Sequence, residues 1–179
     1  GYAASIQPGW PTSGFHEDRT GNNEKGGDNI WTIHIATGEL NQITQETFRL
    51  FNNPNWSPDG EYIVARKHFT SRRSLGAGEM WLFHRSGVNG GAHAGVQLTS
   101  KPTDQKDVNE PIFSIDGKHL YYSEDASPGS SFEYDKDSNG QIYVVRQLDL
   151  ETGKTLSLIN GPGGACRPTP SPDGKTLAF

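Results

Sequence analysis

The chain has 179 residues, a formal net charge of −5, 32% hydrophobic residues, 22 glycines, 11 prolines and a single cysteine. That length is one domain's worth of chain, and the abundance of turn formers with no helical periodicity argues for an all-β, turn-rich architecture. The modest negative charge excludes the basic footprint of a nucleic-acid binder, the lack of a long apolar run excludes membrane insertion by a helix, and one cysteine excludes an internal disulfide.

Residues 1–45 read as a degenerate repeat. Gln7-Pro8-Gly9-Trp10 resembles the run into an inner strand, but Pro11-Thr12-Ser13-Gly14 replaces a full turn and the next strand is cut to Phe15-His16-Glu17. After a polar loop from Arg19 to Asp28, a third strand is predicted over Asp28–Ile35 and a fourth over Leu40–Thr44. Residues 46–100 form a complete repeat, opening with Asn53-Pro54-Asn55-Trp56 and the turn Ser57-Pro58-Asp59-Gly60. Proline presets φ in such a turn, aspartate bonds the backbone that follows it, and glycine takes the left-handed position. A second strand from Tyr62, a basic loop through Arg72 and Arg73, a third strand over Glu79–His84 and a short fourth within Gly95–Thr99 complete the unit. Residues 101–160 repeat the plan with Ser114-Ile115-Asp116-Gly117, a third strand over Gln141–Arg146, a fourth over Thr155–Ile159, and an acidic insertion from Glu124 to Gly140. Residues 161–179 supply the first half of a further repeat, ending in Ser171-Pro172-Asp173-Gly174-Lys175-Thr176-Leu177-Ala178-Phe179.

The turn recurs at a fixed interval: Asp59 to Asp116 and Asp116 to Asp173 are each 57 residues. Four short strands per period make the blade of a β-propeller. The Pro-x-Trp-Ser-Pro-Asp-Gly hairpin, the strand ending in Ala-Phe and the Ile-Trp-x-Ile strand at Ile30-Trp31-Thr32-Ile33 resemble TolB-like propellers over nearly the whole chain. The expected fold is a partial TolB-like propeller of about three blades plus half of another. Such an arc leaves sheet edges open, whereas propellers close at typically about 4 to 8 blades, so the sequence reads as a piece of something larger.

Motif chemistry is sparse. Asp135, Asp137 and Asn139, followed by Gly140, match the first half of a calcium loop, but the twelfth position is Arg146 instead of the bidentate glutamate. Calcium is therefore a weak expectation and no other cofactor is called for. The six histidines show neither His-x-His nor His-Glu-x-x-His spacing, and no Gly-x-Ser-x-Gly elbow is present. Cys166 reads as a small buried residue at a blade start in preference to a nucleophile, and the Gly-rich Ser86 to Gly91 run as a surface turn lacking the helix a phosphate cradle needs.

What remains is a surface. Strands alternate in direction, so the long loops share the face opposite the Ser-Pro-Asp-Gly hairpins. There Arg66, His68, Arg72 and Arg73 of one blade are expected near Glu124 and Asp125 of the next, as a candidate binding set. A mutually compensating charge pattern is the plainer alternative.

The runs from Phe48 to Gly60, from Ala65 to Phe69 and from Gly161 to Pro170 are most similar to the propeller that precedes a metal-dependent amidohydrolase barrel in large exported bacterial proteins. That resemblance implies a non-catalytic accessory scaffold, a periplasmic or exported location, and a partner that is the remainder of the polypeptide or another protein. The alternative is an enzyme in its own right, a lyase- or peptidase-associated propeller with a site on the long-loop face. That reading would need His, Arg and carboxylate groups converging on inner strands, whose Asn55-Trp56, Ile112-Phe113 and Pro168-Thr169 segments are apolar or neutral.

Overall fold

The computed structural model describes residues 28–47, 49–69, 77–103, 105–131 and 142–179. Arg72, Arg73, Asp135, Asp137, Asn139 and the first two strands expected of the degenerate repeat lie outside them. The described residues form twelve strands and no helix: β1 (Trp31–Ile33), β2 (Leu40–Gln42), β3 (Arg49–Trp56), β4 (Tyr62–Phe69), β5 (Gly78–His84), β6 (Val96–Gln97), β7 (Val108–Phe113), β8 (His119–Asp125), β9 (Tyr143–Asp149), β10 (Thr155–Ile159), β11 (Thr169–Pro170) and β12 (Leu177–Ala178). They pair as two four-stranded antiparallel meanders, β3-β4-β5-β6 and β7-β8-β9-β10, flanked by the two-stranded sheets β1-β2 and β11-β12. This is an open, unclosed stretch of propeller blades.

The hairpins fold by the turn chemistry read from the sequence. Ser57, Ser114 and Ser171 hydroxyls donate to Asp59, Asp116 and Asp173 Oδ1 at 2.5, 2.6 and 2.6 Å. The same carboxylates accept the backbone N–H of Glu61, Lys118 and Lys175 at 3.0, 3.1 and 3.1 Å. Gly60, Gly117 and Gly174 close the turns at φ 71°, 72° and 69°. These bonds favour the ionised form, the serine hydroxyl first, and hold all three carboxyls below their usual pKa. A lowered folded-state pKa contributes stability that is complete above the unfolded value of 3.8 and is lost as pH falls through the folded one. Removing the hydroxyl in Ser114→Ala should move the Asp116 carboxyl titration upward while Asp173 stays unchanged. Carboxyl-carbon NMR titration reads both, and an unmoved Asp116 would refute the account.

β4 is buried on both faces, because each blade is sandwiched between two others. Ile63 and Ala65 join Ile30, Ile43, Phe51 and Phe83 in the core shared with the β1-β2 sheet. Val64, with Met80, points the other way into a second core completed by Val108, Phe113, Leu120, Tyr122 and Leu148 of the next blade. Each fully buried aliphatic side chain of this kind contributes roughly 1.5–3 kcal/mol.

β9 covers Tyr143–Asp149, three residues beyond the C-terminal end expected for the third strand. Its partner decides this: β8 pairs along its whole length, from His119↔Asp149 to Asp125↔Tyr143, and the backbone groups of β8 are satisfied only if β9 runs as far.

The first strand of each blade is the inner one. β3 and β7 pack directly on each other, and Phe113 N–H donates to Asn55 Oδ1 across the blade boundary at 3.1 Å. Both strands carry a bulge at the same register, between Asn52 and Asn55 in β3 and between Asn109 and Ile112 in β7. Each bulge holds a non-glycine residue in the left-handed region, Asn53 at φ 51° and Glu110 at 57°, and Arg167 repeats the conformation at 55° just before β11. A proline follows each of them.

Candidate functional site

The end of β4, the starts of β5, β7 and β9, and the end of β8 meet at the long-loop end of the blades, where buried charge concentrates. Arg66 is 5% exposed on β4. Its Nε and Nη2 both lie 2.9 Å from Asp107 Oδ1 of the next blade, and its Nη1 donates to Asn52 Oδ1 at 3.0 Å. Gly78 makes room for it: a Cβ there would sit 2.3 Å from Arg66 Nε, and the Gly78 N–H instead donates to Asp107 Oδ1 at 2.7 Å. Burial pushes the Asp107 carboxyl up despite the opposing pull of Arg66.

Lys106 and Asp125 form a second pair, 2% and 3% exposed. Lys106 Nζ lies 3.3 Å from Asp125 Oδ1 and also donates to the Ser127 carbonyl and hydroxyl. The Ser127 N–H and hydroxyl donate to the same carboxylate oxygen at 2.9 and 2.6 Å. Glu124 is held on the strand surface by Arg146, at 3.2 and 3.3 Å. Tyr143, at the start of β9, is pushed up to about 12 by burial and by the nearby carboxylates of Asp107, Asp125 and Glu110, so it stays a protonated hydroxyl.

A third cross-blade pair sits on the inner strands. Glu110 Oε2 accepts the Ser123 hydroxyl at 2.8 Å and the Arg167 N–H at 2.9 Å, while Oε1 accepts Arg167 Nε at 3.1 Å. The apolar character read for the inner strands therefore holds for their hairpin-side segments and fails one step upstream, where the β7 bulge carries the Glu110 carboxylate and the residue leading to β11 is Arg167.

Of the candidate set, the structure gathers Arg66, His68, Glu124 and Asp125 at one end of neighbouring blades, with His68 buried on β4 beside Arg66. Arg66, Asp125 and Glu124 are partnered by Asp107, Lys106 and Arg146; the sequence reading had not singled out the first two, and had named Arg146 only as the residue that breaks the calcium-loop match. Nor had it singled out Glu110 and Arg167, although the recurrence of residue-Pro at 53, 110 and 167 on the 57-residue period was available as a signal. Elsewhere, His84 contacts Ser86 Oγ at 2.8 Å through Nδ1 and lies 3.6 Å from Glu61 Oε2 through Nε2. A Cβ on Gly90 would meet the Ser86 hydroxyl at 2.2 Å, so that oxygen is packed against backbone and this trio has no open nucleophile. Among the described residues no group of three His, Cys, Asp or Glu side chains could hold a metal ion, and no helix is long and apolar enough to cross a membrane.

No protein-family model and no curated protein matches the sequence. Solved structures do. TolB from Acinetobacter baumannii superposes with a TM-score of 0.52 at 17% identity, over 84% of this chain and 31% of its own. A protein from Agrobacterium tumefaciens assigned as TolB gives 0.54 at 21%, over 82% and 47%. An oligogalacturonate lyase solved with manganese gives 0.55 at 19%, over 84% and 35%. The chain thus spans less than half the length of each of these proteins, and the likeness is one of fold. By that likeness, and by its antiparallel four-stranded blades, the chain has the fold of a partial TolB-like propeller.

Proposed function

We propose that this propeller segment is a non-catalytic scaffold and interaction domain, accessory to a metal-dependent amidohydrolase domain outside this chain and exported with it to the periplasm. The observation that carries the reading is where the charged groups go. Arg66, Asp107, Lys106, Asp125, Glu110 and the backbone of Arg167 are engaged in joining blades or fixing strand ends, which is the chemistry of a rigid platform. Loops carried by a rigid platform are where a partner would be met, and in the sequence Arg72 and Arg73 belong to such a loop. The periplasmic location is supported only by the likeness in fold to TolB proteins. Reading the encoding gene in both directions tests the accessory role: a downstream barrel with a His-x-His motif is the expected result, and a downstream region of any other class would refute it.

A second reading, an enzyme in its own right, is favoured by one observation, the inner-strand Glu110–Arg167 pair, together with the fold shared with an oligogalacturonate lyase. Under it, incubation with oligogalacturonate produces the ultraviolet absorbance of an unsaturated sugar. The scaffold reading expects none, with or without added manganese.

A further inference from the structure

Among the described residues eleven glycines have left-handed φ, and only three other residues do: Asn53, Glu110 and Arg167. Glycine would adopt that conformation without penalty, and this chain uses it freely elsewhere. An amide, a carboxylate and a guanidinium are instead held there, one per blade, in the inner strands β3 and β7 and just before β11. Residues kept in sparsely populated backbone regions point toward function when their side chains have a visible use.

The use of Glu110 is visible, since it anchors the chain of the next blade at Arg167, just before β11. Its grip on Arg167 is selective. Oε2 takes the backbone N–H, Oε1 takes Nε, and neither terminal nitrogen of Arg167 makes a hydrogen bond among the described residues. The side chain is 82% exposed, while the backbone that carries it is fixed by Glu110, by Ser123 Oγ at 3.0 Å and by the ring of Pro168. A guanidinium held through Nε leaves its outer edge, two parallel N–H groups, open to solvent. That edge matches a planar oxyanion.

We propose that Arg167 is a ligand-binding residue that receives the carboxylate of a ligand lying along the inner strands. A singly charged carboxylate fits better than a phosphate, because the Glu110 carboxylate already lies 3.1 Å from the guanidinium nitrogen. A dianion would meet that field twice over. This assignment does not depend on the accessory role proposed above and stands if the gene shows no amidohydrolase barrel.

NMR of the arginine Nε–Hε signals of the full chain tests it at matched ionic strength. The probes are galacturonate against galactose, and acetyl-glycylglycine against its amide. The expected result is a saturable shift of the Arg167 signal with galacturonate, with the peptide carboxylate, or with both, and none with the neutral counterparts. Which carboxylate acts identifies an acidic sugar or a peptide end as the source. With binding followed in the same titrations by backbone amide signals, which the variants retain, Arg167→Gln should abolish saturable binding or weaken it at least tenfold, and Arg167→Lys should weaken it less. Lys175→Gln, an equal charge change on an exposed hairpin residue, should leave it intact. The proposal is overturned if no carboxylate shifts the signal, if inorganic phosphate binds more tightly than either, or if Lys175→Gln weakens binding as much as Arg167→Gln. Because the Arg167 side chain is exposed, its variants should keep the wild-type melting transition, which is checked in the same samples.

Discussion

Replacing Asp107 by alanine should destabilise the protein by about 3 kcal/mol, the cost typical of removing one member of a buried ion pair. The substitution strips a guanidinium that is 7% exposed of the carboxylate at 2.9 Å and leaves the Gly78 N–H without its acceptor. Because Asp107 belongs to one blade and Arg66 to another, the loss falls on the joint between blades. For a chain of this length it corresponds to a drop in melting temperature of roughly 6–12 °C. Thermal and urea denaturation of the two proteins measures it, and a loss below about 1 kcal/mol would mean that the pair does not hold the blades together.

The pH dependence at this residue has a definite sign. Burial raises the folded-state pKa of Asp107 above 3.8, so its contribution is complete below that value and is lost as pH rises through the folded pKa. Asp107→Asn keeps an acceptor oxygen without the ionisation. Its deficit against the wild-type protein should therefore be smaller than that of alanine, and its stability profile should lack the fall over this window. The hairpin aspartates run in the opposite direction, so their contributions are separated from that of Asp107 by sign as well as by residue.

Phe83→Ala should cost more still, about 3–5 kcal/mol. Phe83 is 1% exposed, stands edge-on to Phe51 with ring centroids 5.4 Å apart, and packs among Ile30, Ile43, Ile63 and Ala65. Gly95 lies so close that a Cβ would approach the ring to 2.3 Å, so the wall on that side is backbone and cannot collapse into the space the ring leaves. Denaturation curves give the loss. Phe83→Leu should recover most of it, and equal losses for leucine and alanine would show that ring geometry, and not volume, is what the site requires.

These two sites differ in how far they could be read from the chain. Phe83 lies in a run of strand-forming residues, Met80-Trp81-Leu82-Phe83, and its burial follows once the blade is recognised. Nothing near Arg66 in sequence indicates Asp107, which lies 41 residues away. Blade packing alone brings them together. The same holds for Glu110 and Arg167, 57 residues apart, whereas Lys106 and Asp125, 19 apart, meet within one blade where β7 pairs with β8. The candidate set built from Arg66, His68, Glu124 and Asp125 found the end of the blades where charge gathers but not the partners, because side-chain pairing depends on how one blade is rotated against the next.

The sequence by itself determined the hairpins, since Ser-x-Asp-Gly encodes its bonds within five residues. It also determined the blade plan, since a 57-residue period of short strands has few other ways to bury its apolar faces. Only the tertiary structure decided the extent of β9, which is set by the length of β8, and the left-handed residues before Pro54, Pro111 and Pro168, two of which sit where β3 and β7 slip register against β4 and β8. Only it decided which charges are spent inside the fold. Arg66, expected from the sequence in a surface binding set, is buried and committed, while Arg167, outside that set, has an exposed guanidinium that Glu110 from another blade holds by one nitrogen, leaving the other two to solvent.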